Sequence, residues 1–279
     1  MIKIVTDSTC DLPPEVFEQY GITVMPLRIH FGMEAFLDGV NITKDEFYQR
    51  LRTAPQLPTT SQPSAGEFCE AFRPLVEAGH EVVGILISGE LSGTCASALT
   101  ACELLPEASI SVIDSRSTSV GLGMMVREAA RLAETGADVT AIKARIEELA
   151  SKMKLYFVVD TLEYLRKGGR IGGAKALLGT MLNIKPLLMI HDGRVEPLQQ
   201  VRTRRKALQR MIELMAQEMS SASLVHSSMT HAQAEDEAKA LVAQVQAAIP
   251  CEEFFICELG PALGTHAGPG VIGVAAYGD

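Results

Sequence analysis

Short apolar runs alternate with helix-period segments through the first half of the chain. Ile2 to Val5 reads as a strand ending in the polar Thr6-Asp7-Ser8. A helix is expected from Pro13-Pro14 to Gly21, because proline suits a first helical turn and glycine the position past the last. A second strand is expected over Thr23 to Phe31. Thr43 with Glu46 and Ser64 with Glu67 fit the S/T-x-x-E capping box, so a helix should start at each. Between them, Thr53 to Pro63 carries Pro55, Pro58 and Pro63 and predicts an extended polar loop. Glu81 to Ser88 is nearly all apolar, as in a central parallel strand. A small-residue loop, Gly89 to Gly93, then opens a helix to about Leu105. Ile110 to Asp114 is the next strand, followed by helices over about Val120–Glu134 and Val139–Met153.

The second half has a different rhythm. Leu155 to Val159 predicts a strand, and a short helix from Thr161 should stop at Gly168-Gly169. Pro186–Ile190 and Arg194–Val201 flank His191-Asp192-Gly193, a strong hairpin signal. Helices are expected over about Thr203–Met219 and His231–Ala248, with strands near Leu224–Ser227, Glu253–Glu258 and Val271–Tyr277. The pattern predicts an α/β protein of two domains. Residues 1–153 would form an N-terminal parallel-sheet domain, and residues 154–279 a C-terminal α/β domain with a mixed sheet.

Composition narrows the class. With 47% hydrophobic and 21% charged residues, the chain reads as globular rather than disordered. Its net charge of −9 argues against general nucleic-acid binding. That charge is uneven, since Arg166 to Arg210 holds eleven Lys/Arg against Asp192 and Glu196. Such a segment fits an anion site, an acidic partner or a solvated helix face, the last especially for Arg204, Arg205, Lys206 and Arg210. The six cysteines show no CxxC or zinc spacing, which fits reduced thiols and no metal site. No signal-peptide pattern opens the chain and no apolar run is long enough to span a membrane, so a cytoplasmic location is expected.

Several catalytic motifs are absent or broken. Gly168-Gly-Arg-Ile-Gly-Gly173-Ala-Lys175 imitates a P-loop, but Ala174 intervenes and no Ser/Thr follows the lysine. Gly121-Leu-Gly123 is too short for a dinucleotide fingerprint, and there is no GxSxG or HExxH. Ser88-Gly-Glu-Leu-Ser-Gly-Thr94 leaves the end of a buried strand and opens a helix, where open α/β sheets place anions. There Ser92 is either a hydroxyl donor to a carboxylate or phosphate, or simply an N-cap. Thr59-Thr-Ser-Gln-Pro-Ser64 is a second hydroxyl-rich stretch, for which capping and turn chemistry suffice when it is taken alone. Gly260 to Gly270, dense in Gly and Pro, predicts a loop carrying His266, and the other five histidines read as ordinary surface or core residues.

In order along the chain stand Val5-Thr-Asp-Ser8, Thr60-Ser-Gln-Pro-Ser64, Leu91-Ser-Gly-Thr94, Leu165-Arg-Lys-Gly-Gly-Arg-Ile-Gly172, Asn183-Ile-Lys-Pro-Leu187, Arg202-Thr-Arg204 and Gly264-Thr-His-Ala-Gly-Pro-Gly270. Together they resemble the DegV family of bacterial fatty acid-binding proteins, nearly end to end. The resemblance implies a bound long-chain fatty acid such as hexadecanoate, with its carboxylate at Thr60 and Ser92. Ser61, Gly93 and Thr94 are counted with them as ligand-binding, and Arg170, Arg202 and His266 as the polar group around the head. It also implies that the chain is no enzyme alone, but the acyl-binding subunit of a fatty acid kinase whose separate ATP-binding subunit phosphorylates the carboxylate. A passive lipid carrier is one alternative. A phosphotransferase domain acting through His266 on a small polar substrate is another. Glu90, inside the serine loop, is an acid able to alter ligand affinity.

Overall fold

The computed structural model describes residues 1–179, 184–251 and 253–279, so Asn183 of the Asn183–Leu187 motif lies outside the described residues. Strand β1 (Ile2–Asp7) leads through α1 (Pro14–Tyr20) to β2 (Thr23–Met25), β3 (Arg28–Phe31) and β4 (Glu34–Leu37). Next come α2 (Lys44–Thr53), β5 (Thr59–Ser61), α3 (Ala65–Glu77), β6 (Glu81–Leu86), α4 (Thr94–Glu103) and β7 (Ile110–Asp114). Helices α5 (Ser119–Glu134) and α6 (Val139–Lys152) connect to β8 (Lys154–Val158) and α7 (Glu163–Lys167). A 3-10 turn over Gly172–Leu177 precedes β9 (Lys185–His191), β10 (Arg194–Val201) and α8 (Arg204–Met219). The chain then forms β11 (Val225–His231), α9 (Glu235–Ala248), β12 (Phe254–Glu258), α10 (Pro261–Ala267) and β13 (Ile272–Gly278).

The expected α/β architecture is present. An all-parallel four-stranded sheet has the order β2-β1-β6-β7, and a mixed six-stranded sheet the order β10-β9-β8-β13-β11-β12. In the mixed sheet only β11 and β12 run parallel, and β13 occupies a central place between β8 and β11. Side chains alternate across that sheet, as strand geometry requires. Leu155 packs inward against α5 and α6, while Tyr156 and Val158 face α8 and α9. Helices α3 and α4 cover the outer face of the parallel sheet, burying Phe68 and Phe72. The layers therefore run α3/α4, parallel sheet, α5/α6, mixed sheet, α8/α9.

Both capping boxes form, Thr43 with Glu46 and Ser64 with Glu67. Gly21 adopts the left-handed conformation that ends α1. The hairpin at His191–Gly193 is also present, with Arg194 opposite His191.

Four readings change. The stretch Thr23–Phe31 is two strands in two sheets, because Pro26-Leu27 separates β2 from β3. The loop Thr53–Pro63 contains β5, which joins β3 and β4 in a small antiparallel sheet ordered β4-β3-β5. The helix expected from His231 begins at Glu235, and β11 runs on to His231, well past Ser227. Gly260–Gly270 is mostly helix rather than loop: Pro261 starts α10, where its missing N–H costs nothing. Gly264 lets that helix approach α2 closely, since a Cβ there would come within 2.8 Å of Phe47 and 2.7 Å of the Tyr48 hydroxyl.

The small sheet and α2 pack with α7, α10 and one end of the mixed sheet around Ile29, Phe47, Phe157, Leu162 and Leu259. Residues early in sequence thus reach a core built mainly by the second half.

Candidate functional site

An apolar cavity lies between the carboxyl ends of the parallel strands and the inner face of the mixed sheet. Ile87, Leu91, Phe157, Ile190, Leu263 and Val271 are among its walls, and it encloses about 650 Å³ of space free of protein atoms, mouth included. It lies at the place where open α/β sheets hold ligands. Arg170 and His266 line the same cavity.

The polar end is assembled from four segments. Thr60, on β5, shares a 2.7 Å hydrogen bond with Nε2 of His266, in the last turn of α10. Strand β5 is held in place by β3, where Ile29 pairs with Thr60. The Arg170 guanidinium is fixed by two backbone acceptors: Nε donates to the Leu91 carbonyl at 3.0 Å and Nη1 to the Gly168 carbonyl at 2.9 Å. This ties Arg170 to the serine loop. Gln62 meets that loop too, since its side-chain amide sits where a Cβ on Gly93 would project.

Position alone left Ser92 open between cap and donor. Gly93 is the N-cap of α4 and makes no side-chain cap bond, so Ser92 is not the cap. Its hydroxyl shares a 2.9 Å hydrogen bond with that of Thr94, which is fully buried. Capping of α3 falls to Ser64, leaving Thr60 to His266. Ser61 shares a 3.0 Å hydrogen bond with Nε2 of His30. His30 read as an ordinary residue in sequence; only the pairing of β3 with β5 brings it here.

His266 is neutral near pH 7. Burial, and after it the Arg170 charge, push its pKa down to about 4. Its Nδ1 is buried with no partner among the described residues, and Gly168 lies directly against it. The positive charge of the mouth therefore belongs to Arg170.

Arg202 lies apart. It is exposed just past the end of β10, whereas Val195, at the other end of that strand, lines the cavity with Arg170. The strand between them spans roughly 20 Å. The basic segment is likewise not one surface. Arg204 grips Glu237 and Asp160, Arg210 pairs with Glu213, and Lys185 with Asp160. Arg204, with only 20% of its side chain exposed, is a tie between α8 and α9 rather than a solvated charge. Glu90 turns to Arg194, which holds its carboxyl below the usual range.

Behind the cavity, two buried carboxylates hold the start of α10. Asp11 accepts from the Gly260 N–H at 3.2 Å and from the Ser119 hydroxyl, and Asp38 accepts from the Ala262 N–H at 3.1 Å and the Ser8 hydroxyl at 3.0 Å. Burial raises Asp11 to about 6 and Asp38 to about 7, against the lowering effect of these hydrogen bonds and of Lys44. Asp7 has a structural task as well, accepting from the Ile87 and Thr9 N–H groups and so joining β1 to the end of β6.

With this geometry in place, comparison with known proteins is decisive. A DegV family model, described as an uncharacterised protein family, matches residues 1–279. The chain belongs to the DegV family. A DegV domain-containing protein of Halalkalibacterium halodurans is 39% identical over 277 residues, covering 99% of this chain and 98% of that one. The solved structure of a DegV family protein from Thermus thermophilus, described as fatty acid binding, superposes with a TM-score of 0.95 at 38% identity, covering 100% and 99% of the two chains. A stearic acid-binding protein from Eubacterium ventriosum gives a TM-score of 0.92 at 29% identity, with 100% and 98% covered. Among the described residues no helix is long and apolar enough to cross a membrane.

Proposed function

We propose that this DegV protein is a cytoplasmic binding subunit that holds one long-chain fatty acid and offers its carboxylate to a separate ATP-dependent kinase subunit. The observation that carries the binding role is the apolar cavity ending at Arg170, His266 and Thr60. Burying an acyl chain of about fifteen methylenes is worth on the order of 10 kcal/mol before ordering costs. A carboxylate leaving water needs hydrogen bonds and positive charge. Thr60, Ser92 and Arg170 supply them from different segments. The apolar walls also favour an acyl chain over the small polar substrate of a phosphotransferase. Fatty acid binding by the Thermus and Eubacterium relatives supports the same ligand class.

In this reading residues 1–153 bring the carboxylate loops, and residues 154–279 bring Arg170 and His266. Arg202, exposed at the other end of β10 from Val195, acts in contact with the partner rather than with the head group. The test is native mass spectrometry of the purified protein, followed by assays with ATP. A bound acid such as hexadecanoate is expected, with acyl phosphate formed only when a cognate kinase is added. A co-purifying polar metabolite would overturn the ligand, and turnover by the highly purified single chain would overturn the division of labour.

A further inference from the structure

The acyl cavity is not apolar throughout. Thr118, just before α5, and Thr230, on β11, both line it and both are buried. Neither hydroxyl has a hydrogen-bond partner among the described residues. Other buried hydroxyls find partners, as Thr6 donates to the Ile85 carbonyl, Thr265 to that of Pro261 and Ser227 to that of Ala275; the Ser117 hydroxyl, which does not line the cavity, is also without one among the described residues. Ser119, adjacent to Thr118 and also on the cavity wall, donates to Asp11. Buried hydroxyls without partners are rare because they forfeit their bonds to water. Valine would fill the same space as threonine without that cost.

The two threonines come from different elements of the cavity wall. Thr118 follows the last strand of the parallel sheet, and Thr230 belongs to the mixed sheet. Neither is on the loops that carry Thr60, Ser92, Arg170 or His266. A ligand hydroxyl between them would donate to one and accept from the other, which a plain methylene cannot do and a ketone does only in part.

We propose that Thr118 and Thr230 form a polar subsite inside the acyl cavity, and that it selects long-chain fatty acids bearing a hydroxyl along the chain. This rests on the fatty acid reading above and adds the substrate class. The test titrates delipidated protein with octadecanoate and with positional isomers of hydroxyoctadecanoate, in the parent, Thr118→Val and Thr230→Val. At least one isomer should bind the parent as tightly as octadecanoate or more so. Each valine variant should lose about tenfold for that isomer while holding octadecanoate at least as well as the parent. Isomers all tenfold or more weaker than octadecanoate in the parent would overturn the subsite. So would an isomer-to-octadecanoate ratio that neither substitution changes, or loss of octadecanoate in the valine variants, which would put the carboxylate at these threonines instead. Failure of octadecanoate and every isomer to bind the parent would overturn the fatty acid reading, and this inference with it.

Discussion

At the scale of single residues, the proposed head-group site rests on a few side chains held firmly by their neighbours. Arg170 is anchored to two backbone carbonyls, and His266 is bonded to Thr60 and pressed against Gly168. Replacing Ser92 with alanine should weaken fatty acid binding by roughly tenfold to a hundredfold, the scale of one hydrogen bond to a charged group. Thr60→Val should do the same, and unchanged affinity in both variants would place the carboxylate elsewhere. Gly168→Ala should be as damaging without touching ligand, because its methyl group would overlap the His266 ring. Isothermal titration of that variant should show at least tenfold weaker binding with the fold retained by circular dichroism. Sequence made the hydroxyl loops and His266 visible through their Gly-rich settings. It could not show that His30 meets Ser61, because strand pairing decides it, or that the cavity lies at the Val195 end of β10, away from Arg202.

Among the elements, α10 matters most. It has only seven residues, yet it carries His266 and packs on α2, α7, β3 and β5. Its start is held by Asp11 and Asp38, and these carboxylates face Lys44, Glu258 and the Tyr48 hydroxyl as well as each other. Because burial raises Asp38 to about 7, the native protein keeps a proton there that the unfolded chain has already released near pH 4. Raising the pH from about 4 to about 7 therefore favours unfolding through this group. Asp38→Asn lacks the term, so its melting temperature relative to the parent should climb between pH 5 and pH 8. Parallel melting curves across that range would refute it. His266 has the opposite sign: with its pKa pushed down to about 4, stability is lost as pH falls from about 6.5 toward 4. Most elements were readable from period and caps, down to the hairpin at Asp192-Gly193 and both capping boxes. Helix α10 was hidden by glycines that serve close packing, and the small β4-β3-β5 sheet by strands three or four residues long that carry almost no periodic signal.

For the whole molecule, the cavity is a shared surface. Its walls come from two cores, one around α5 and α6 and one around α2, α7 and α10. A ligand that binds only the folded state stabilises it with the logarithm of its concentration over Kd, about 2.7 kcal/mol at a hundredfold excess. Delipidation should thus lower the melting temperature by about 5 °C or more, and hexadecanoate should restore it. Calorimetry should show both cores responding together, and a lipid-independent melt would deny that the cavity is occupied.

The central place of β13 has a consequence for synthesis. The parallel sheet has all its strands once Asp114 has been made, and can begin folding while translation continues. The mixed sheet cannot, because β8 and β11 meet only through a strand ending at Gly278. Until the ribosome has delivered that strand, β8, with Leu155-Tyr-Phe-Val158 and no partner along one edge, is open to pairing with another nascent chain. A transcript cut short before Ile272 should therefore yield a half-built protein that chaperones hold or proteases clear. The cavity, framed by both sheets, comes into being only once β13 has been made.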